Sequence, residues 1–223
     1  MTMTDAGCSR PVVLVVDDDE LQRLALDALL ASVGIDVLPF DSARALLDAA
    51  LPDATTCLVL DVRMPHMGGF ECHRQLVARG SDIPTIFVTG HGDIGMAVEA
   101  MKTGAVDFLA KPYREQDMLE AVHAALATAA ERRAAAEEAC VLRNRFATLT
   151  PRECQVMAGV VRGLLNKQIA FDMGISEITV KLHRASLMRK MQMRTVPDLV
   201  RAVDRIGPQV PVSQARLVRA IAA

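Results

Sequence analysis

The sequence predicts two domains, an α/β domain on a five-stranded parallel sheet with helices on both faces, and a smaller all-α domain reached through a long helix. Three observations carry this. Short apolar runs each stop at a polar residue: 12–16 at Asp17-Asp18-Asp19, 57–60 at Asp61, 83–88 at Thr89-Gly90 and 106–110 at Lys111-Pro112. Runs this short, without alternation, suit strands buried on both faces of a parallel sheet. Helical patterns fall between them, which implies right-handed crossovers. The charge also divides: residues 1–130 hold 9 Lys+Arg against 19 Asp+Glu (net −10) and residues 131–223 hold 16 against 8 (net +8), summing to −2. An acidic half suits a cation site and a basic half suits nucleic acid.

Each element has its own signal. After the first strand, Leu21, Leu24, Ala25, Ala28 and Leu29 are spaced as one helical face and Gly34 ends the helix. Residues 35–38 before Pro39 read as a second strand, and Asp41 or Ser42 can cap a helix running to about Ala50. A third helix runs from Phe70 to about Ala78 and stops at Gly80; a fourth follows the loop 89–93 and ends near Gly104. From Glu115 to about Arg145 no Gly or Pro interrupts an alanine-rich stretch, read as the last helix of the first domain extended into a connector. Thr150-Pro151-Arg152-Glu153 has capping-box spacing with proline at the first helical position. Helices over 151–163, 166–173, 177–191 and 196–206 follow, and residues 215–222 read as a short helix in an otherwise unassigned tail.

Composition narrows the class. The chain is 51% apolar and 3% aromatic with 12 methionines, so its cores are aliphatic. No apolar run approaches the ~20 residues of a membrane span, and Met1 to Arg10 lacks the pattern of a secretory signal. The five cysteines (8, 57, 72, 140, 154) have no paired spacing, which reads as reduced, mostly buried thiols of a cytoplasmic protein.

The strand ends form a chemically coherent set. Asp17, Asp18 and Asp61 would repel one another unless a divalent, oxygen-preferring cation such as Mg²⁺ sat among them. A carboxylate oxygen there could attack phosphorus to give an acyl phosphate, with Lys111 and the Thr89 hydroxyl holding phosphoryl oxygens. Asp19 reads as a helix cap, and His66, His91 and His73 as surface side chains.

Asp17-Asp18, Asp61, Thr89 and Lys111-Pro112 together resemble the receiver domain of bacterial two-component response regulators, over roughly residues 11–130. The resemblance implies a flavodoxin-like, doubly wound fold, Asp61 as phosphoacceptor and a sensor histidine kinase as donor. It also implies Asp18 as direct Mg²⁺ ligand, Asp17 acting largely through water, the backbone carbonyl of Arg63 as a further ligand, and a cis Lys111–Pro112 bond. Phe108 would be the aromatic that turns inward with Thr89, or else an ordinary strand-end core residue, and by the same resemblance the helix carrying Met96 and Met101 would meet a second protomer, with core packing as the alternative.

Residues 166–184 read as helix, tight turn at Gly174 and second helix capped by Ser176, a helix-turn-helix whose second helix reads a DNA groove. Phase places Val180, Leu187 and Met191 inward, and leaves His183 either at the core edge or on a phosphate. With Thr150-Pro151-Arg152-Glu153, the run resembles LuxR/FixJ-type DNA-binding domains over about residues 148–206. That resemblance puts Lys181, Leu182 and Ala185 at base edges, and Lys167, Thr179, Arg184 and Arg189 at phosphates. Leu199, Val200 and Val203 of the last helix would form an apolar dimer face.

The organisation expected is therefore a receiver domain over 11–127, a helical linker over 128–147, a DNA-binding domain over 148–206 and a tail over 207–223. The function expected is a transcriptional regulator, homodimeric on phosphorylation and not membrane-bound. It is not an enzyme beyond catalysing its own phosphorylation and dephosphorylation. The alternative weighed is a Mg²⁺-dependent phosphohydrolase of the haloacid-dehalogenase type, whose Asp-x-Asp pattern Asp17-Asp18-Asp19 superficially fits although Leu21 departs from it.

Overall fold

The computed structural model describes residues 10–90 and 94–206; His91 and the tail lie outside the described residues. The chain divides at Arg133/Ala134 into two compact units.

In the first unit, strands β1 (Val12–Val16), β2 (Asp36–Phe40), β3 (Thr56–Asp61), β4 (Thr85–Thr89) and β5 (Asp107–Ala110) alternate with helices α1 (Glu20–Ser32), α2 (Ala43–Asp48), α3 (Gly69–Ala78) and α4 (Ile94–Lys102). All pairings are parallel, in the order β2-β1-β3-β4-β5. Side chains alternate across the sheet as the pleat requires. Val13, Val15, Cys57, Val59, Ile86 and Val88 enter one core with α1 and the first turns of α5 (Glu115–Ala147). Leu14, Val16, Leu58, Leu60 and Phe87 enter the other with α2, α3 and Ala100 of α4. Both layers are thus apolar, which is why the strands read as unbroken apolar runs.

Several bounds shift from expectation, β4 beginning at Thr85 rather than at 83 and α6 ending at Val161 rather than at 163, and two further details differ. The second strand starts one residue later and continues through Pro39 to Phe40. Proline is tolerated there because β2 is an edge strand and can spare an N–H. Helix α1 buries Leu26 and Leu30, whereas Leu21 (74% exposed), Leu24, Ala25 and Ala28 face outward. Its leucines supply two candidate stripes, and the sheet takes the one that reaches Val13 and Val15.

In the second unit, Leu142 and Phe146 of α5 share a core with α6 (Pro151–Val161), α7 (Asn166–Met173), α8 (Glu177–Met191) and α9 (Val196–Ile206). The capping box at Thr150 and Glu153 is formed. Leu199 is wholly buried in this core and Val203 packs against it. The apolar face expected on the last helix is therefore largely spent inside its own domain. Among the described residues, no helix is long and apolar enough to cross a membrane.

Candidate functional site

Register builds the first site. Val16 pairs with Leu60, so Asp17 and Asp61 leave the sheet side by side, between the strands where the order reverses direction. Open α/β sheets bind ligands at that crevice. Thr89 pairs with Ala110, which brings Lys111 to the same rim, and the Lys111–Pro112 peptide is cis. The Lys111 ammonium donates to Asp17 Oδ2 and to Asp61 Oδ2, each at 2.6 Å. Asp17 Oδ1 accepts from the Asp19 N–H at 2.9 Å and Asp61 Oδ1 from the Arg63 N–H at 2.8 Å.

Carboxylate oxygens of Asp17, Asp18 and Asp61 lie within 4.8 Å of one another, with Asp17 and Asp61 buried and Asp18 exposed. Burial pushes the Asp61 carboxyl above its ordinary value, against the downward pull of Lys111 and the Arg63 N–H. For Lys111, burial alone acts downward, but the hydrogen bonds to the two acids raise it overall. One ammonium thus serves two buried acids with a third beside them. An all-carboxylate donor set of this kind fits a hard divalent cation.

Thr89 is fully buried at the end of β4, and Phe108 is half-buried against the core on the α3–α4 side. Asp19 caps α1 by accepting from the Leu21 N–H at 2.8 Å. His66 is exposed and has a left-handed backbone, φ 67°. Sequence reasoning missed Arg23, whose guanidinium donates to the Asp17 carbonyl at 2.6 Å. It lies four residues beyond the cap, on the side of α1 that turns back to the strand end. His73 is a correction. It is buried, its ring edge-on to Phe87 with centroids 5.5 Å apart, and burial lowers its pKa. Met96 packs on the core, whereas Met101 is 56% exposed.

The second site centres on α8. Gly174 ends α7 in the left-handed region (φ 64°), where a Cβ would be strained. Ser176 then caps α8, its hydroxyl accepting from the Thr179 N–H at 3.1 Å and sharing a hydrogen bond with the Thr179 hydroxyl. Val180, Leu187 and Met191 are buried, as phase predicted, and His183 is half-buried. Lys167, Lys181, Leu182, Ala185 and Arg189 are exposed. Arg184 is half-buried and turns back to Asn166 Oδ1 at 3.0 Å, tying α8 to the start of α7. Ile178, absent from the sequence-based set, is 71% exposed.

Two family models match the chain: the response regulator receiver domain over residues 13–123, and bacterial regulatory proteins of the luxR family over residues 147–203. The chain belongs to the response regulators with a LuxR-type domain. Nodulation protein W of Bradyrhizobium diazoefficiens is 47% identical over 89% of this chain and 88% of its own length. The response regulator protein TodT of Pseudomonas putida is also 47% identical, over 87% of this chain and 86% of its own. Among solved structures, response regulator StyR superposes with a TM-score of 0.78 at 47% identity, covering 88% of this chain and all of that one. Full-length FixJ from B. japonicum gives 0.53 at 42% identity, covering 88% and 97%. These matches give the haloacid-dehalogenase alternative no support, and the geometry opposes it. Its Asp-x-Asp pattern would need Asp19 in the pocket, but this response regulator uses Asp19 as a helix cap.

Proposed function

We propose that Asp61 is the phosphoacceptor of this response regulator and that its phosphorylation controls binding of the second unit to double-stranded DNA. The observation that carries this is the Lys111 ammonium held 2.6 Å from both Asp17 and Asp61 at the sheet's switch point, with Asp18 beside them. In this reading residues 11–127 receive the phosphoryl group, 128–147 link and 148–206 read DNA, inside the cytoplasm.

Asp17, Asp18, Asp61 and the backbone carbonyl of Arg63 would hold Mg²⁺. When bound, the ion supplies positive charge against the phosphoryl oxygens. Asp61 Oδ attacks the phosphorus carried by a sensor histidine kinase, the donor's bond to phosphorus breaks, and a mixed acyl phosphate remains. The Arg63 N–H holds the other Asp61 oxygen and so aims the carboxylate. Lys111 moves from carboxylate to phosphoryl oxygen, a substitution of one anion for another that suits its point charge. Adding about −1.5 to −2 charges draws the Thr89 hydroxyl inward as a donor, and Phe108 fills the space behind it. The altered surface of the receiver then favours a homodimer, which places two copies of α8 on a two-fold DNA site. Lys181, Leu182 and Ala185 face base edges, while Lys167, Thr179, Arg184 and Arg189 serve phosphates.

Beryllofluoride, a phosphoryl mimic, tests this. With Mg²⁺ it should raise the sedimentation mass of the full chain towards a dimer and tighten binding to a selected duplex. Unchanged mass and affinity would contradict the switch.

A further inference from the structure

We infer that Ile178 and Leu182 form an apolar strip that selects DNA half-sites by the 5-methyl groups of thymine. The inference rests on the reading of the second unit as a DNA binder and goes beyond it to the feature of the bases that is read.

The core needs of α8 are met on one side, by Val180, Leu187 and Met191, all with no exposed surface. On the other side Ile178 is 71% and Leu182 67% exposed, with Ala185 and Arg189 continuing the row. Steps of four, three and four residues place these side chains along one face of the helix. Cations frame the row. Lys181 is exposed, and its ion pair to Glu177 at 3.4 Å is itself on the surface; Arg189 and Lys167 are exposed. Residues 131–223 carry a net charge of +8. A cation-rimmed strip on a positively charged unit selects a polyanion as its occupant rather than another apolar protein face.

In the major groove every base edge offers hydrogen-bond donors or acceptors, and thymine adds an apolar methyl. Isoleucine and leucine have nothing to exchange with the polar groups. Pressed against a G·C edge they would strip water from acceptors and replace it with none. Against thymine they bury a methyl. From Ile178 to Ala185 the helix rises about 10 Å, or roughly three base-pair steps of ~3.4 Å, and Ala185 keeps that end of the face low enough for close approach. The half-site should therefore hold thymines at one or two positions within three consecutive pairs.

Deoxyuridine tests this, because it keeps the pairing and groove hydrogen-bond groups of thymidine and lacks only the methyl. A duplex is first selected from random sequence with the full chain and beryllofluoride. Each thymine is then replaced singly and affinity measured at fixed salt. In each half-site, at one or two positions within three consecutive pairs, the substitution should weaken binding about fourfold, the worth of one buried methyl. Ile178→Ser or Leu182→Ser should bring the thymine-to-uracil ratio at its own position to one. Partial misfolding of a variant scales both affinities alike and leaves that ratio intact. Sequence-selective binding with no uracil effect anywhere overturns the strip and spares the DNA-binding reading; variants that keep the wild-type ratio overturn the assignment to these two side chains. Failure to bind any duplex overturns both.

Discussion

Lys111 Nζ lies 2.6 Å from Asp61 Oδ2, although 50 residues separate them in the chain, and the contact is mostly shielded from solvent. The same ammonium is shared with Asp17. Removing it leaves two buried acids facing each other without a counter-ion. Lys111→Ala should therefore move the Asp61 pKa further up in the metal-free protein, visible by carboxyl carbon NMR, and slow phosphorylation at least tenfold. An unmoved Asp61 titration would mean that the pair is not formed in solution.

Gly69 guards the position of Asp61. A Cβ there would overlap the Asp61 carbonyl oxygen and press Leu60 Cγ at 3.1 Å. Neither can retreat, because Leu60 and Asp61 belong to the central strand. Gly69→Ala should cost about 1–3 kcal/mol of stability and slow phosphorylation by displacing Asp61. Gly80 is the control: a Cβ meets nothing within 4 Å, but φ is 84°. Gly80→Ala should cost about 1–2 kcal/mol and leave the phosphorylation rate alone. Urea midpoints and rates on both variants separate the two effects.

Helix α1 offers a test of packing phase. Leu30→Ala removes a fully buried side chain and should cost about 2–5 kcal/mol. Leu24→Ser changes a residue 57% exposed and should stay within about 0.5 kcal/mol. Equal losses would restore the outward stripe as the core face.

Glu153 links two helices of the DNA-binding unit. Its Oε2 accepts from the Thr150 N–H at 2.8 Å and from Lys190 Nζ at 2.7 Å. Burial alone acts upward on this carboxyl, but the hydrogen bonds from Lys190 and Thr150 outweigh it and hold the pKa at about 2, below the ordinary 4.5. A depressed pKa stabilises the fold above pH 4.5, and that contribution fades as the pH falls through about 2. Its size is of order 3 kcal/mol. Hydrogen exchange of α6 and α8 amides in the full chain should show wild type losing its advantage over Glu153→Gln across that range. A constant difference between the two would contradict the pairing.

Much of this was legible in the chain. β1, β3 and β4 announced themselves because a strand buried on both faces is apolar until it reaches the rim, so Asp17, Asp61 and Thr89 marked the site by interrupting the pattern. Gly174 and Ser176 marked the turn because few residues tolerate a left-handed cap or supply an N-cap acceptor. What stayed hidden depends on partners far along the sequence. His73 read as a surface residue until Phe87 closed over it. The burial of Glu153 depends on Lys190, 37 residues on. The phase of α1 was ambiguous because leucines at 21, 24, 26, 29 and 30 satisfy two faces, and only the sheet decides between them. Arg23 grips a backbone carbonyl, and no side-chain pattern advertises such a bond.

The proposed switch turns on where phosphorus is accepted. The full chain is incubated with Mg²⁺ and a small acyl-phosphate donor, reduced with borohydride to trap any aspartyl phosphate as an alcohol, and mapped by peptide mass spectrometry. One modified residue, Asp61, should be found in wild type and none in Asp61→Asn. A trapped acyl phosphate at another residue of wild type, or at full yield in Asp61→Asn, would contradict it.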